Sequence, residues 1–540
     1  MQRRDLLGAL AALPSLAAAQ AAPAADLARL QAHLRFLADP LLEGREAGAR
    51  GFDLAAAYVD SQFTQLGLKP PGEAGSHFQP VPLKTGRLGA TPPTLQLCRG
   101  DTCESLAYLA EFSTRPDLNA TRSDHAAPLV FAGYGIEAPA FGLDDYAGLD
   151  VRGKIVVLLS GRPPHLPPEE GAHFGSHRIK AELAVRRGAI GTITLATPRS
   201  EITAPFHLAR QYADSLSMDW LADDGSGGSE VAGVKVTATV SVQAAPKLLA
   251  PLTADLARLV ADAEAGRPLP RGDLGMTARL VRETLHGRAR SHNVVGLLEG
   301  RHPRLKHEVV VLCAHLDHLG RKTGPQGDIV YPGTMDNALG MATLLETARL
   351  LTQGPAPARS VLFAALTAEE KGLLGSSFLA ARPPVPIESL VAAVNIDMPI
   401  LLHDFSELVA LGGPHSTLGE AAQRAAQALG LAMAPDPDPA QGRFTRSDQY
   451  SFVRRGIPAV ILGPGAASFD PRDDGAALMR EFRRLRYHQP GDDLGQPFRW
   501  SAVQRFAQLH HALLLDLTRR PERPRWLPGS FFGELFAARR

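Results

Sequence analysis

Charge of one sign is missing from this sequence. Its 540 residues carry 57 Lys and Arg against 56 Asp and Glu, a formal net charge of +1. That balance gives no reason to invoke nucleic acid or an anionic surface as a partner. Two local arginine clusters (Arg483, Arg484, Arg486; Arg519, Arg520, Arg523, Arg525) read as a solvated face and a basic tail. Long apolar runs are missing too. Beyond the N-terminus no segment reaches the roughly 18 apolar residues of a membrane-spanning helix, so no integral membrane segment is expected. Cysteine is scarce, at three residues. Cys98 and Cys103 flank the turn-like Arg99-Gly100-Asp101-Thr102 and can close a local disulfide in an oxidising compartment. Cys313 stands alone in an apolar strand pattern, two residues before His315, and reads as a small buried hydrophobe.

What is present begins with an address. Arg3-Arg4 precede Leu6-Leu7, an apolar run to about Leu13, and small residues ending near Ala19-Gln20-Ala21. This is the order of a signal peptide over residues 1–21, and the paired arginines resemble a twin-arginine signal. The expectation is an exported protein, periplasmic or secreted. The length calls for two or three domains, and 45% hydrophobic residues support substantial cores.

Leu27, Leu30, Leu34 and Leu37 fall at helical spacing, and a second helix is expected from Phe52 to Leu66. Leu42 to Gly48 between them is a glycine-punctuated loop. From about residue 90 the texture changes to short glycine-bounded strands, at 128–135, 153–159 and 188–195, with a helix at 179–187. That region holds neither a metal-ligand cluster nor a nucleophile elbow. Gly266 to Gly275, with Pro268 and Pro270, reads as a linker, assigned here to 251–279. Apolar strands at 308–314, 360–366, 390–396 and 457–462 then alternate with helices such as 340–351. The pattern predicts an α/β fold with a mostly parallel mixed sheet covered on both faces by helices. In such sheets ligands bind beyond the carboxyl ends of strands.

The chemistry sits there. Ala314-His315-Leu316-Asp317-His318, Met335-Asp336-Asn337, Ala368-Glu369-Glu370-Lys371, Asn395-Ile396-Asp397-Met398 and Tyr487-His488-Gln489-Pro490 supply two histidines and several carboxylates. That is the ligand set of paired zinc ions activating water. Asp336 is the best bridge between two metals. Glu369 and Glu370 are neighbours and cannot face one metal alike, so one is a ligand and the other a base. Asp317 can reach the far ring nitrogen of His315 and fix its tautomer. His318 reads as a structural or surface histidine.

The stretch from Ser291-His-Asn-Val-Val-Gly-Leu-Leu-Glu-Gly300 through Gly491 resembles the co-catalytic dizinc exopeptidase family that includes bacterial leucine aminopeptidases and glutamate carboxypeptidase II. The resemblance covers nearly all of residues 26–85 and 280–515. It implies His315, Asp336, Glu370, Asp397 and His488 as metal ligands, with Asp336 bridging and preceding a cis, non-proline peptide. It also implies Glu369 as general base and Tyr487 as a phenol that steadies an oxyanion. The implied cofactors are two Zn2+, or other divalent metals, and the implied partner is a peptide substrate. The middle region resembles the β-rich protease-associated domain inserted in many members, expected to pack beside the metal crevice. The division is then 22–87 as the N-terminal part of the peptidase domain, 88–250 as the insert, 280–520 as the metallopeptidase domain and 521–540 as a tail. Two positions depart from the usual pattern: Gln449, near the expected substrate pocket, where many relatives carry His, and Leu339, where a small residue is usual. The leading expectation is an aminopeptidase. Carboxypeptidase-like and glutaminyl-cyclase-like enzymes, or a non-catalytic receptor or interaction protein, are the alternatives.

Overall fold

The computed structural model describes residues 24–213, 215–252, 255–324 and 327–539, so the leader reading at 1–21 lies outside the described residues. Its centre is the strand Val309–His315, flanked by Ser360–Leu366 on one side and Leu390–Asn395 on the other, both parallel to it. Ala459–Pro464 extends the parallel run, Glu407–Leu411 adds to it antiparallel, and the short strand Ala432–Met433 forms the edge. The strands are short and mostly apolar because both faces are covered. Val310, Leu312 and Ala314 belong to one core, and Val309, Val311 and Cys313 to the other. The expected mixed, mostly parallel sheet between helical layers is what forms.

Every residue of helix Leu339–Gln353 from Leu339 to Leu351 is buried. Helices Leu27–Leu37 and Trp500–Arg519 lie over its outer side. Its internal Glu346–Arg349 ion pair, at 2.6 Å, keeps those charges satisfied there.

A second core gathers around four parallel strands, Arg122–Phe131, Ile155–Leu159, Gly191–Leu195 and Val236–Val240. Cys98 and Cys103 face each other across an antiparallel pair there and are disulfide-bonded. The two regions share one element, the 27-residue strand Gly272–Leu298. Its first part pairs with Arg122–Phe131 and Thr94–Arg99, its middle with Phe78–Leu88, and its end with Ser360–Leu366.

That strand corrects the linker read at 251–279. Helix Leu256–Glu264 and the start of the long strand occupy it. The glycines and prolines mark a turn and a register shift near Asp273, after which Leu274, Met276, Ala278 and Leu280 point inward at the period of a strand. The basic tail is a second correction. Residues Phe531–Phe536 form a helix, with Phe532 and Phe536 buried beneath the sheet, and Trp526 donates its Nε1–H to Gly456 O at 2.9 Å. Aromatic burial outweighs the nearby arginines, several of which bond locally, as Arg520 does to Asp516.

Candidate metal centre

Three of the loops that bear chemistry leave the carboxyl ends of parallel strands. His315 is the last residue of Val309–His315, Glu369 and Glu370 follow Ser360–Leu366, and Asp397 follows Leu390–Asn395. Asp336 lies in the turn Thr334–Ala338, immediately before the buried helix, and the Asp336–Asn337 peptide is cis. Asn337 ties two of these loops together. Its Nδ2 donates to Ile396 O at 2.9 Å, and its Oδ1 accepts from the Met398 amide at 3.2 Å.

Asp336 stands between two sets of donors. Its Oδ1 is 3.2 Å from His315 Nε2, which lies 3.1 Å from Asp397 Oδ1. Its Oδ2 is 3.3 Å from His488 Nε2, which lies 3.1 Å from Glu370 Oε2. His315, Asp336 and Asp397 converge within 4.8 Å of one another, as do His318, Asp336 and Glu370. The bridge and all five expected ligands are therefore brought together. A donor set of imidazole nitrogens and carboxylates, two groups sharing one carboxylate, fits a pair of divalent ions such as zinc.

The field agrees. Burial opposes charge on His315, but Asp397, Glu369 and Asp336 outweigh it and hold the ring well above the ordinary histidine range. His488 is raised in the same way against its own burial, chiefly by Glu370. A pocket that retains protons so strongly on both rings favours positive charge between these oxygens. Glu369 is half-buried, and loss of solvent together with Asp397 and Glu370 pushes it well above the carboxylate range. It makes none of the contacts just described and stands outside both groups of converging donors.

Asp317 behaves differently from expectation. Its carboxylate is 4.0 Å from His315 Nδ1, and it is its backbone carbonyl, at 3.1 Å, that receives that N–H. The tautomer is still fixed, since a carbonyl can only accept, which leaves Nε2 for the metal side. The carboxylate instead accepts from the amides of Glu369 at 3.0 Å and Glu370 at 3.2 Å. His318 is no surface residue. It is fully buried, and its Nδ1 donates to Glu370 Oε1 at 2.8 Å. Gln449 does not line an open pocket either. It is buried, accepting from Asn395 Nδ2 at 2.8 Å and donating to Phe444 O at 2.8 Å. Leu339 is simply packed at the start of the buried helix. Tyr487 stacks on His488, with ring centroids 3.9 Å apart, and burial lifts its phenol to about 12, so it remains a donor.

Sequence reasoning missed two acids. Asp492 accepts from the amides of Met335 at 2.9 Å and Asp336 at 3.0 Å, clamping the bridge from behind. Asp448 is completely buried, and burial lifts it to about 7, with Asp397 adding to the rise. Asp492 had a signal in Gly491-Asp492-Asp493, a polar run directly after the last ligand motif. Asp448 sat in the Ser447-Asp448-Gln449 stretch, where only the glutamine was weighed.

Residues 293–514 match the model of Peptidase family M28. A probable zinc metalloprotease of Pyrenophora tritici-repentis is 40% identical over 73 residues, 14% of this chain and 16% of that protein. The chain thus matches about a sixth of that relative's length. The structure of the aminopeptidase from Aneurinibacillus sp. strain AM-1 superposes with a TM-score of 0.52 at 20% identity, covering 92% of this chain and 95% of that one. A zinc aminopeptidase from Bacillus subtilis gives a TM-score of 0.44 at 19% identity over 93% and 98%. The fold is that of the first of these structures, and residues 293–514 carry the match to Peptidase family M28.

Proposed function

We propose that this protein is an exported zinc-dependent exopeptidase, an aminopeptidase, that hydrolyses the N-terminal peptide bond of its substrate. The observation that carries the reading is the shared carboxylate, with Asp336 Oδ1 facing His315 and Asp397 while its Oδ2 faces His488 and Glu370. These five residues would hold two zinc ions, which supply a Lewis acid for the scissile carbonyl and water activated at neutral pH. Glu369 takes the proton of the attacking water and returns it to the nitrogen of the leaving amine. The Asp317 carboxylate aims Glu369 and Glu370 through their amides. Asp492 holds the backbone of Asp336, and His318 orients Glu370. The Tyr487 phenol donates to the oxyanion as it forms.

The region 88–250 is read as a protease-associated insert that borders the crevice and restricts entry rather than sharing in the chemistry. Its contacts with the catalytic part support this. Arg162 Nη2 donates to Pro439 O at 3.0 Å, Glu169 Oε1 accepts from the Gly412 amide at 2.8 Å, and Trp220 Nε1 donates to Ser377 Oγ at 3.2 Å. Export is supported by the leader pattern and by the Cys98–Cys103 disulfide, a bond of oxidising compartments. Among the described residues no helix is long and apolar enough to cross a membrane.

Hydrolysis of aminoacyl p-nitroanilides, with and without a chelator, tests the class. Glu369→Gln is expected to keep metal content near normal while turnover falls by about two orders of magnitude, the scale of a lost general base. Glu370→Gln is expected to lose metal. The opposite pattern reverses the two roles, and activity indifferent to the chelator removes the reading.

A further inference from the structure

The chemistry above gives no task to a buried cation that sits against the ligand loops. Arg45, only 1% exposed, ends the short turn Pro40–Arg45 between the first two helices. Its guanidinium donates from Nε to Leu316 O at 2.9 Å, from Nη1 to Pro332 O at 2.7 Å and to Leu37 O, and from Nη2 to Gly333 O at 2.9 Å. Leu316 directly follows the ligand His315. Pro332 and Gly333 enter the turn that carries the bridging Asp336. One planar fork thus bonds the backbones of two separate ligand loops.

The rest of the turn adds to the clamp. The His318 amide donates to Arg45 O at 3.2 Å and the Gly320 amide to Gly44 O at 3.0 Å. Glu46 Oε1 accepts from Lys371 Nζ at 2.8 Å, which ties the turn to the residue after Glu370. Gly44 lies so close that a Cβ there would stand 2.3 Å from Gly320 O and 2.6 Å from Tyr331 O, with φ at +69°. The turn has no room to shift alone. Burial draws the Arg45 guanidinium down to about 10, against the pull of Asp317, Asp492, Asp336 and Glu370, so it is charged at neutral pH. It is a fixed positive charge behind a wall of acids.

We propose that Arg45 is a positioning residue of the metal centre, locking the His315–His318 loop and the Tyr331–Asp336 loop at the separation at which His315 and Asp336 share an ion. The inference rests on the metal-centre reading and goes beyond it. It gives the N-terminal segment, which supplies no ligand, the task of setting ligand geometry. A lysine cannot substitute, because a point charge on a flexible stem does not span four carbonyls in a plane.

A merely structural arginine supplies the control. Arg359 is also completely buried and bonds Leu517 O, Pro521 O and Glu522 O, each at 3.0 Å, but it sits where strand Ser360–Leu366 begins, at the end of the sheet away from the ligands. Cobalt(II) is the probe, read by its visible bands and by equilibrium titration of the metal-free full chain. Arg45→Lys is expected to weaken cobalt binding about 10- to 100-fold, the range for residues that orient metal ligands, and to shift the bands. Arg359→Lys should lower the thermal midpoint while leaving affinity and spectrum as in the wild type. A wild type that takes up no cobalt overturns the metal centre itself and this inference with it. A wild type that loads, beside a folded Arg45→Lys of equal affinity and spectrum, overturns the Arg45 role alone.

Should Arg45→Lys not fold, hydrogen exchange on the wild type decides. Cobalt loading is expected to protect the His318 and Gly320 amides, which bond the Arg45 turn, along with that of Asp336. The Arg359 amide, bonded to Thr518 O at 3.0 Å, serves as reference. If His318 and Gly320 gain no more protection than Arg359, the turn is not coupled to the metals and the proposal is wrong.

Discussion

Replacing Asp317 by asparagine separates two accounts of the same residue. In the sequence its carboxylate belongs to His315. In the structure it belongs to the amides of Glu369 and Glu370, at 3.0 and 3.2 Å. Hydrogen bonds to a charged acceptor are worth about 1.5–3 kcal/mol each. Asparagine keeps the shape but offers one oxygen, and turns an NH2 group toward the second N–H. One bond is lost and a donor faces a donor, so the loop is expected to be destabilised by about 2 kcal/mol, near 30-fold in its opening equilibrium.

The readout is hydrogen exchange at the amides of Glu369 and Glu370 in metal-free protein, where ligand effects are removed. Burial raises Asp317 to about 6, so the comparison belongs at about pH 7.5, where the wild-type side chain is charged. Exchange at these two amides should accelerate about 30-fold, with kcat falling as Glu369 loses its aim. Unchanged exchange at both amides, together with weakened metal binding, would return the carboxylate to His315 and refute the reasoning.

Two further predictions concern stability. Phe532 is fully buried, its ring 4.7 Å from that of His415 and 5.1 Å from that of Phe444, so Phe532→Ala should cost about 3–5 kcal/mol in urea unfolding; a cost below about 1 would mean the C-terminal helix is peripheral. His510, completely buried and donating from Nδ1 to Phe506 O at 2.9 Å, is lowered by burial to about 4. The folded state therefore holds fewer protons than the unfolded chain between about pH 4 and 6.5, and this residue's contribution of about 3 kcal/mol is present above that window and lost as pH falls through it. His510→Asn should flatten that part of the acid-unfolding profile relative to the wild type, and a parallel profile would contradict it.

The fold's centre was legible because its strands are buried on both faces. Ser360–Leu366 reads as six apolar residues in a row after a serine and is found with those bounds, since nothing polar interrupts the run. The long strand Gly272–Leu298 was illegible for the opposite reason. Thr284 to Arg290 is largely polar, and His286, Gly287 and Arg288 are exposed along a ribbon that pairs on its edges without burying both faces. Hydrophobic runs report burial, and this strand owes its existence to its pairing partners. The C-terminal helix was hidden by arginines that lie six to twelve residues before Phe531 and bond at the surface while the phenylalanines turn inward.

In the site, the residues that would touch metal were visible and the residues that hold them were mostly not. Ligands come as short motifs at strand ends, where chain order and chemistry coincide. Arg45, Asp492 and the acceptor role of Asp317 depend on backbone atoms of other loops, and no side-chain pattern encodes a carbonyl or an amide. Each of them grips main chain: Arg45 the carbonyls of Leu316 and Gly333, Asp492 the amides of Met335 and Asp336, Asp317 the amides of Glu369 and Glu370. Fixing a backbone fixes every side chain that leaves it. The four carboxyl groups of Asp336, Glu369, Glu370 and Asp397 and the two imidazoles of His315 and His488, which repel or protonate one another when left alone, are most economically kept in register this way, with the restraint lying behind the loops and the faces toward the ions left free.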